Sequence, residues 1–272
     1  MAYIRLTLAS RCLNGATDVS VFFPDDPKAP IGSGMAPRKP GVIPGDAVDK
    51  SRRYQVLWLM HGGGDDYTAW PLDAMVQRAC GSEQLIVVMP TIRDLPGVAR
   101  NADYLSYVTE ELPELIGFLF PISRRREDNF IAGLSYGGYF AYRCALTHPQ
   151  NYACVGSFSS PLDVKEDVRR HHVGQTAFSD PDSIDGTDRD VLGMATKRKE
   201  QGVDLPRMFQ TCGTEDFTWD FNVVARDHFR ALGLDHTWIQ RPGVHNFEFW
   251  DGALRQYLQW LPLRHGYFKE GN

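Results

Sequence analysis

No stretch of the 272-residue chain approaches the 18 apolar residues that a membrane-spanning helix requires, so no bilayer span is expected. No lysine or arginine block stands out. The nearest is Arg124–Arg126, which Glu127 and Asp128 follow at once, and the net charge is −5 from 29 basic and 34 acidic residues. Such a balance argues against partnership with nucleic acid or with an anionic membrane surface. Cysteine is scarce. Cys12, Cys80, Cys144, Cys154 and Cys212 are scattered and odd in number, which suits reduced thiols in the cytoplasm better than a disulfide frame. The opening MAYIRLTLAS lacks the basic start of a signal peptide, and none is expected. What is present is the composition of a soluble globular protein, 43% hydrophobic and 23% charged, in a chain long enough to bury a large core.

Ile4, Leu6 and Leu8 alternate with polar residues, as do Val19, Val21 and Phe23. These are two half-buried strands, antiparallel about Asn14–Gly15. Residues 24–50 then hold six prolines and read as a long surface excursion, because proline neither donates to a sheet ladder nor sits inside a helix. From Tyr54 short apolar runs recur: QVLWLM, LIVVM, NFIAG, CVGSF, MFQTC and HTWIQ. Continuous apolar strands suit a parallel sheet covered on both faces. Helical patterns lie between most of them. These are 136–147, closed by His148–Pro149; 218–232, with Phe221, Val224, His228 and Leu232 on one face; and 250–261. The expected fold is α/β, a mostly parallel central sheet with helices on both faces, in one domain spanning residues 1–272. The interval 162–206 breaks the alternation. It is charged and loop-like, and is expected to be a lid-like insertion over one sheet edge.

Residues 131–138 read IAGLSYGG. GxSxG by itself is weak, arising by chance in about one chain in ten of this length at average Gly and Ser usage. Here it joins the apolar run NFIAG to the helical run YFAYRCALT, so Ser135 stands at a strand-to-helix corner. That is the context of a nucleophile elbow, in which strand and helix nearly touch and only small residues fit at 133 and 137. Acyl transfer also needs donors for the oxyanion. His61-Gly62-Gly63-Gly64 follows the first core strand, and the N–H groups of Gly63 and Tyr136 would make a two-donor hole. The base and its orienting acid should follow in the order serine, acid, histidine. Among the later histidines, His228 reads as a helix-face residue, His236 opens a strand and His265 lies in the tail. His245, in RPGVHNFEFW, falls in a loop at the carboxyl edge of the sheet, where catalytic groups gather. For the acid, MFQTC runs into Gly213-Thr214-Glu215-Asp216, and spacing does not choose between the two carboxylates.

The stretches GLSYGGYFAYRCAL, RREDNFIAG, CGTEDF and PGVHNFEFWDGALRQYLQWLP resemble the esterase family that holds esterase D, the small tributyrin esterases and the carbohydrate esterases acting on acetylxylan and feruloyl esters. DDYTAW is similar to the related mycolyltransferases. The resemblance runs from AYIRLTLASRCLNG to the last helix. It implies an α/β-hydrolase fold with Ser135 as nucleophile, His245 as base, Asp216 as acid, and oxyanion donors at Gly63 and Tyr136. Asn246 stands where relatives usually carry an acidic residue, and the 24–50 excursion is longer than usual.

The expected activity is therefore that of a serine carboxylesterase on short acyl or arylacyl esters, of the acetyl or feruloyl type, with esters of plant-derived carbohydrates among the expected substrates. Such chemistry needs no metal or other cofactor and only a small-molecule ester as partner; whether the chain forms a homo-oligomer is left open. Trp70, Phe178 and Met194 are the candidate substrate contacts, the last two from the 162–206 insertion. Four rivals are weaker. A thioesterase of the S-formylglutathione hydrolase type would resemble HGLTCT where this chain has HGGGDD. A prolyl-oligopeptidase-type peptidase needs a large extra domain. A non-catalytic hydrolase-fold binding protein would have lost a triad member. A metal-dependent hydrolase needs ligand spacing that the adjacent His171-His172 does not supply.

Overall fold

The computed structural model describes residues 2–24, 51–81, 83–93, 102–172, 180–266 and 268–269. The proline-rich excursion, at residues 25–50, lies outside them, as does Phe178. Eight strands form one sheet: β1 (Ala2–Ser10), β2 (Gly15–Phe23), β3 (Val56–Met60), β4 (Ile86–Pro90), β5 (Asn129–Leu134), β6 (Cys154–Phe158), β7 (Arg207–Gly213) and β8 (His236–Arg241), in the order β1-β2-β4-β3-β5-β6-β7-β8. β1 and β2 are antiparallel, β2 meets β4 antiparallel, and every later pairing is parallel. The β1–β2 turn passes through Asn14 at φ 53°, a left-handed position that asparagine tolerates.

The continuous apolar runs are explained by burial on both faces. On β3, Val56, Trp58 and Met60 enter one layer while Leu57 and Leu59 enter the other. The first layer is covered by α1 (Leu112–Leu119), α2 (Tyr136–Thr147), α3 (Val191–Glu200) and α4 (Trp219–Ala231). The second is covered by α5 (Phe247–Trp260) and two short helices, Ala69–Asp73 and Val76–Gly81. Two large polar side chains inside are paired: Trp58 Nε1 donates to Asn129 Oδ1 at 3.1 Å, and Tyr257 Oη donates to the Ile131 carbonyl at 3.2 Å.

Three expectations change. First, 162–206 is helical in much of its described length and packs as part of the core. Leu162, Val164, Val168, Ile184, Val191 and Ala195 are buried against the first layer. Two tyrosines of α2 hold it there: Tyr136 Oη donates to Asp167, and Tyr139 Oη donates to the Arg189 carbonyl at 3.0 Å. Its charges serve the helices it contains. Asp190 caps α3 by accepting from Gly193 N–H at 2.8 Å, and Lys197, Arg198 and Lys199 face the negative end of the α3 dipole. Second, α5 begins at Phe247, not Trp250, because Asn246 caps it, Oδ1 accepting from Phe249 N–H at 3.0 Å. The residue that departs from the family pattern thus has a structural task next to His245. Third, α4 buries Phe221, Asn222, Ala225 and Phe229, while Val224 is 46% exposed. A buried asparagine hid that face from the hydrophobic pattern. Gln210 Nε2 donates to Asn222 Oδ1 at 3.0 Å and to its carbonyl at 2.9 Å, and Asn222 Nδ2 donates to the Thr218 carbonyl at 2.9 Å.

Asn222→Ala removes the side-chain half of this network and leaves buried polar groups short of partners, at a cost of about 1–3 kcal/mol. Val224→Ala is expected to cost less than about 0.5 kcal/mol. Urea unfolding of the two variants checks the ranking; the reverse order would restore Val224 to the buried face.

Candidate active site

Ser135 sits between β5 and α2 at φ 50°, ψ −130°, a conformation that costs a non-glycine residue of order 1–3 kcal/mol. The surroundings enforce it. Ser135 N–H donates to the Phe158 carbonyl of β6 at 2.8 Å. A Cβ on Gly133 would stand 2.4 Å from the Gly137 carbonyl carbon, and one on Gly137 would stand 2.1 Å from the His61 carbonyl oxygen. Strand, helix and the loop after β3 meet here without room for a side chain, and Ser135 is turned out at the top of the bend.

Two loops from other strand ends meet the serine. His245, in the loop after β8, brings Nε2 to 3.0 Å from Ser135 Oγ. Its Nδ1 lies 3.0 Å from both carboxylate oxygens of Asp216, which follows β7. Asp216 is 4% exposed, and its Oδ1 also accepts from Thr218 N–H at 2.8 Å and Thr218 Oγ1 at 2.7 Å. Burial pushes the Asp216 carboxyl up, but the hydrogen bonds from His245 and Thr218 outweigh it and hold the group below its ordinary range. Glu215 is occupied elsewhere: Oε2 accepts from Gly243 N–H at 2.6 Å and Oε1 from Thr214 Oγ1 at 2.8 Å, which pins the histidine loop to the end of β7. Those bonds hold the Glu215 carboxyl low as well.

On the other side of Ser135 lies the loop after β3. A Cβ on Gly62 would meet Leu134 Cδ1 at 2.6 Å and Ser135 Cβ at 3.4 Å, so the loop lies against Ser135, with Gly63 next in the chain and exposed. Tyr136 is the first residue of α2, at the positive end of the helix dipole. Among the described residues no group of three or more His, Cys, Asp or Glu is placed to hold a metal ion, and no helix is long and apolar enough to cross a membrane. All five cysteines are free.

The family model named Esterase, described as "Putative esterase", matches residues 41–261. The chain belongs to that family. It is a carboxylic ester hydrolase of the α/β-hydrolase fold. It is 27% identical over 240 residues to the acetyl esterase of Caldicellulosiruptor saccharolyticus, covering 81% of this chain and 90% of that one. The structure of S-formylglutathione hydrolase from Staphylococcus aureus superposes with a TM-score of 0.78 at 24% identity, over 96% of this chain and 98% of the other. A ferulic acid esterase does so with a TM-score of 0.73 at 22% identity, over 96% of each. These two likenesses speak to the fold alone.

In the esterase, Ser135, His245 and Asp216 are within hydrogen-bond reach; Tyr136 follows the serine in the chain, and Gly63 follows Gly62, the residue of the glycine loop that lies against it. Trp70 is placed differently from the sequence expectation. It is 1% exposed, donates Nε1 to the Met60 carbonyl at 2.9 Å, and packs edge-on against Phe158 and Phe247, so it braces the end of β3 from within the core. Met194 is half-buried on α3 against the first core layer. Neither is brought to the serine by any of these contacts.

Sequence reasoning overlooked His61, Phe217, Thr218 and Trp250. Each lies within five residues of a nominated position, and that proximity was the available signal. His61 Nε2 accepts from Ile92 N–H at 2.8 Å, so Nδ1 carries the proton and donates to the Gly62 carbonyl at 2.7 Å. This clamps the loop over Ser135. Burial lowers the pKa of His61, and a second proton would face the Ile92 N–H.

Two outcomes follow from this geometry. Asp216→Asn should lower kcat by about 10⁴, the effect of an acid that fixes the histidine tautomer in serine hydrolases, while Glu215→Gln costs far less; steady-state kinetics that ranked Glu215 first would move the acid. For His61, the folded pKa lies below the unfolded value near 6.5, so the unfolded chain binds the extra proton first. Its contribution is complete above about pH 6.5 and is lost as pH falls toward the folded value. The drop in urea midpoint from pH 7 to pH 5 should therefore be smaller in His61→Gln than in the wild type; an equal drop would show that His61 is not the group responsible.

Proposed function

We propose that the protein hydrolyses short acyl or arylacyl esters, of the acetyl or feruloyl type and with hydroxyl-rich alcohols, through a Ser135–His245–Asp216 acyl-enzyme mechanism. The observation that carries this reading is the unbroken hydrogen-bonded line from Asp216 through His245 to Ser135 Oγ, every link at 3.0 Å. Ser135 Oγ attacks the ester carbonyl and its proton passes to His245 Nε2. The carbonyl oxygen becomes an oxyanion facing the N–H groups of Gly63 and Tyr136. Collapse breaks the acyl–oxygen bond, and His245 hands the proton to the departing alkoxide oxygen. Water, deprotonated by the same nitrogen, then releases the acid and regenerates Ser135. Asp216 stays ionised and keeps Nδ1 protonated.

Likeness to the acetyl esterase along nearly its whole length supports a small acyl group. The thioesterase alternative meets an electrostatic objection. Asp65 Oδ2 lies 3.5 Å from where a Cβ on Gly62 would stand, so the glycine loop that lies against Ser135 carries a carboxylate. The two carboxylates of a glutathione leaving group would approach that charge.

A substrate panel tests the reading: p-nitrophenyl esters from acetate to octanoate, methyl ferulate, acetylated xylo-oligosaccharides and S-formylglutathione. Acetate or feruloyl esters are expected to lead, and S-formylglutathione to trail. Ser135→Ala should abolish labelling by a phosphonate probe and leave the fold intact. Labelling of another serine, or a preference for emulsified long-chain triglyceride, would overturn the proposal.

A further inference from the structure

Phe217 is 66% exposed, yet it follows the buried Asp216 directly and its ring lies against His245, centroids 4.4 Å apart and planes tilted by 47°. Among the described residues, the other ring neighbour of His245 is Trp250, edge-on at 4.8 Å and buried. His245 is thus backed by one aromatic from the protein interior and flanked by a second from solvent. The outward placement of position 217 has a local cause. Thr218 N–H and Oγ1 both bind Asp216 Oδ1, closing a tight turn across residue 217 and aiming its side chain away from the core. A polar residue would be the ordinary occupant of so exposed a turn. Phenylalanine there leaves an apolar ring in water unless something covers it.

The chemistry of the site says what does. Under the mechanism proposed above, His245 Nε2 gives its proton to the departing alkoxide oxygen, so that oxygen comes within about 2.6–3.2 Å of the nitrogen. The first atoms of the alcohol must then lie beside the histidine ring and its solvent-side neighbour. We propose that Phe217 is a specificity-determining residue forming the wall of the leaving-group side of the cleft, and that it selects esters whose alcohol presents a ring face, aryl or pyranosyl, to the phenyl ring. The acyl group, held toward Gly63 and Tyr136 by the oxyanion, lies away from it. This inference rests on the Ser135–His245 reading.

The test compares wild type, Phe217→Ala and Phe217→Leu on acetates that differ only in the alcohol: ethyl acetate, phenyl acetate, 1-naphthyl acetate and a monoacetylated xyloside. kcat/KM is the readout, since it reports formation of the acyl-enzyme from free ester, and kcat on the two aryl acetates follows hydrolysis of a shared acetyl-enzyme where that step limits turnover. In Phe217→Ala the loss of kcat/KM on ring-bearing esters should exceed the loss on ethyl acetate by about tenfold, the value of one ring contact with its buried area. Phe217→Leu, which keeps apolar bulk without the ring face, should fall between. Phenyl acetate and the xyloside separately report the aryl and sugar sources of the ring. Equal losses on all four esters would mean that Phe217 acts only by steadying His245, and no loss on any would mean that it touches nothing; either result overturns the inference while leaving the esterase reading in place. A wild-type enzyme inactive on every acetate would overturn this inference, and inactivity on methyl ferulate as well would bring down the proposed function with it.

Discussion

The close contact of β5, α2 and the loop after β3 is the constraint on which the rest of the site depends. Gly133 and Gly137 have no room for a side chain, and the crowding is backbone against backbone, so no rotamer change relieves it. The chain can pass from strand to helix in that space only by holding Ser135 in a strained conformation. The strain is carried by two packed layers of core, and its effect is to leave Oγ at the top of the bend with the start of a helix behind it. The same contact sets the height of the glycine loop above the serine, so Ser135 and the loop bearing Gly63 are positioned by one packing event.

Asp216 and His245 come from farther along the chain, and parallel pairing brings them in. β7 lies two strands from β5 and β8 three, and all end at the same edge. The loops after β7 and β8 are then locked to each other by Glu215 and Gly243, which hydrogen-bond reciprocally through side chain and backbone. Glu215 therefore shapes the site without touching the serine or the histidine. Adjacent carboxylates divide the work: one holds the loop and the other holds the imidazole. Asn246 extends the same economy, since the residue after His245 caps the helix that buries Trp250 behind the histidine ring.

Buried polar groups mark where this fold departs from simple patterning. Gln210 and Asn222 satisfy each other between β7 and α4, and Asn129 serves Trp58 and the turn before β5. The insertion at 162–206 behaves likewise. Its acids and bases cap helices and its apolar residues enter the core, so a composition that reads as a solvated loop instead builds part of the layer around α2.

The amino-acid sequence by itself determined the layered α/β architecture, the strand-to-helix corner at Ser135, the glycine loop and the loop carrying His245. Each is written in residues adjacent in the chain, as continuous apolar runs that only a two-faced burial satisfies or as small residues that only a close approach requires. Between Glu215 and Asp216 spacing left the choice open and only the family resemblance pointed to Asp216, the residue that meets the histidine in the structure. Tertiary structure alone decided which face of α4 is buried, that Trp70 belongs to the core, and that Phe217 stands beside His245. These are relations between residues tens of positions apart, or between neighbours of like chemistry. Spacing does not separate two adjacent carboxylates, because which one turns inward depends on a hydrogen bond to Gly243 from a different loop. A local pattern likewise counts a buried asparagine as polar and an exposed phenylalanine as core, since the partner that justifies each lies elsewhere in the chain.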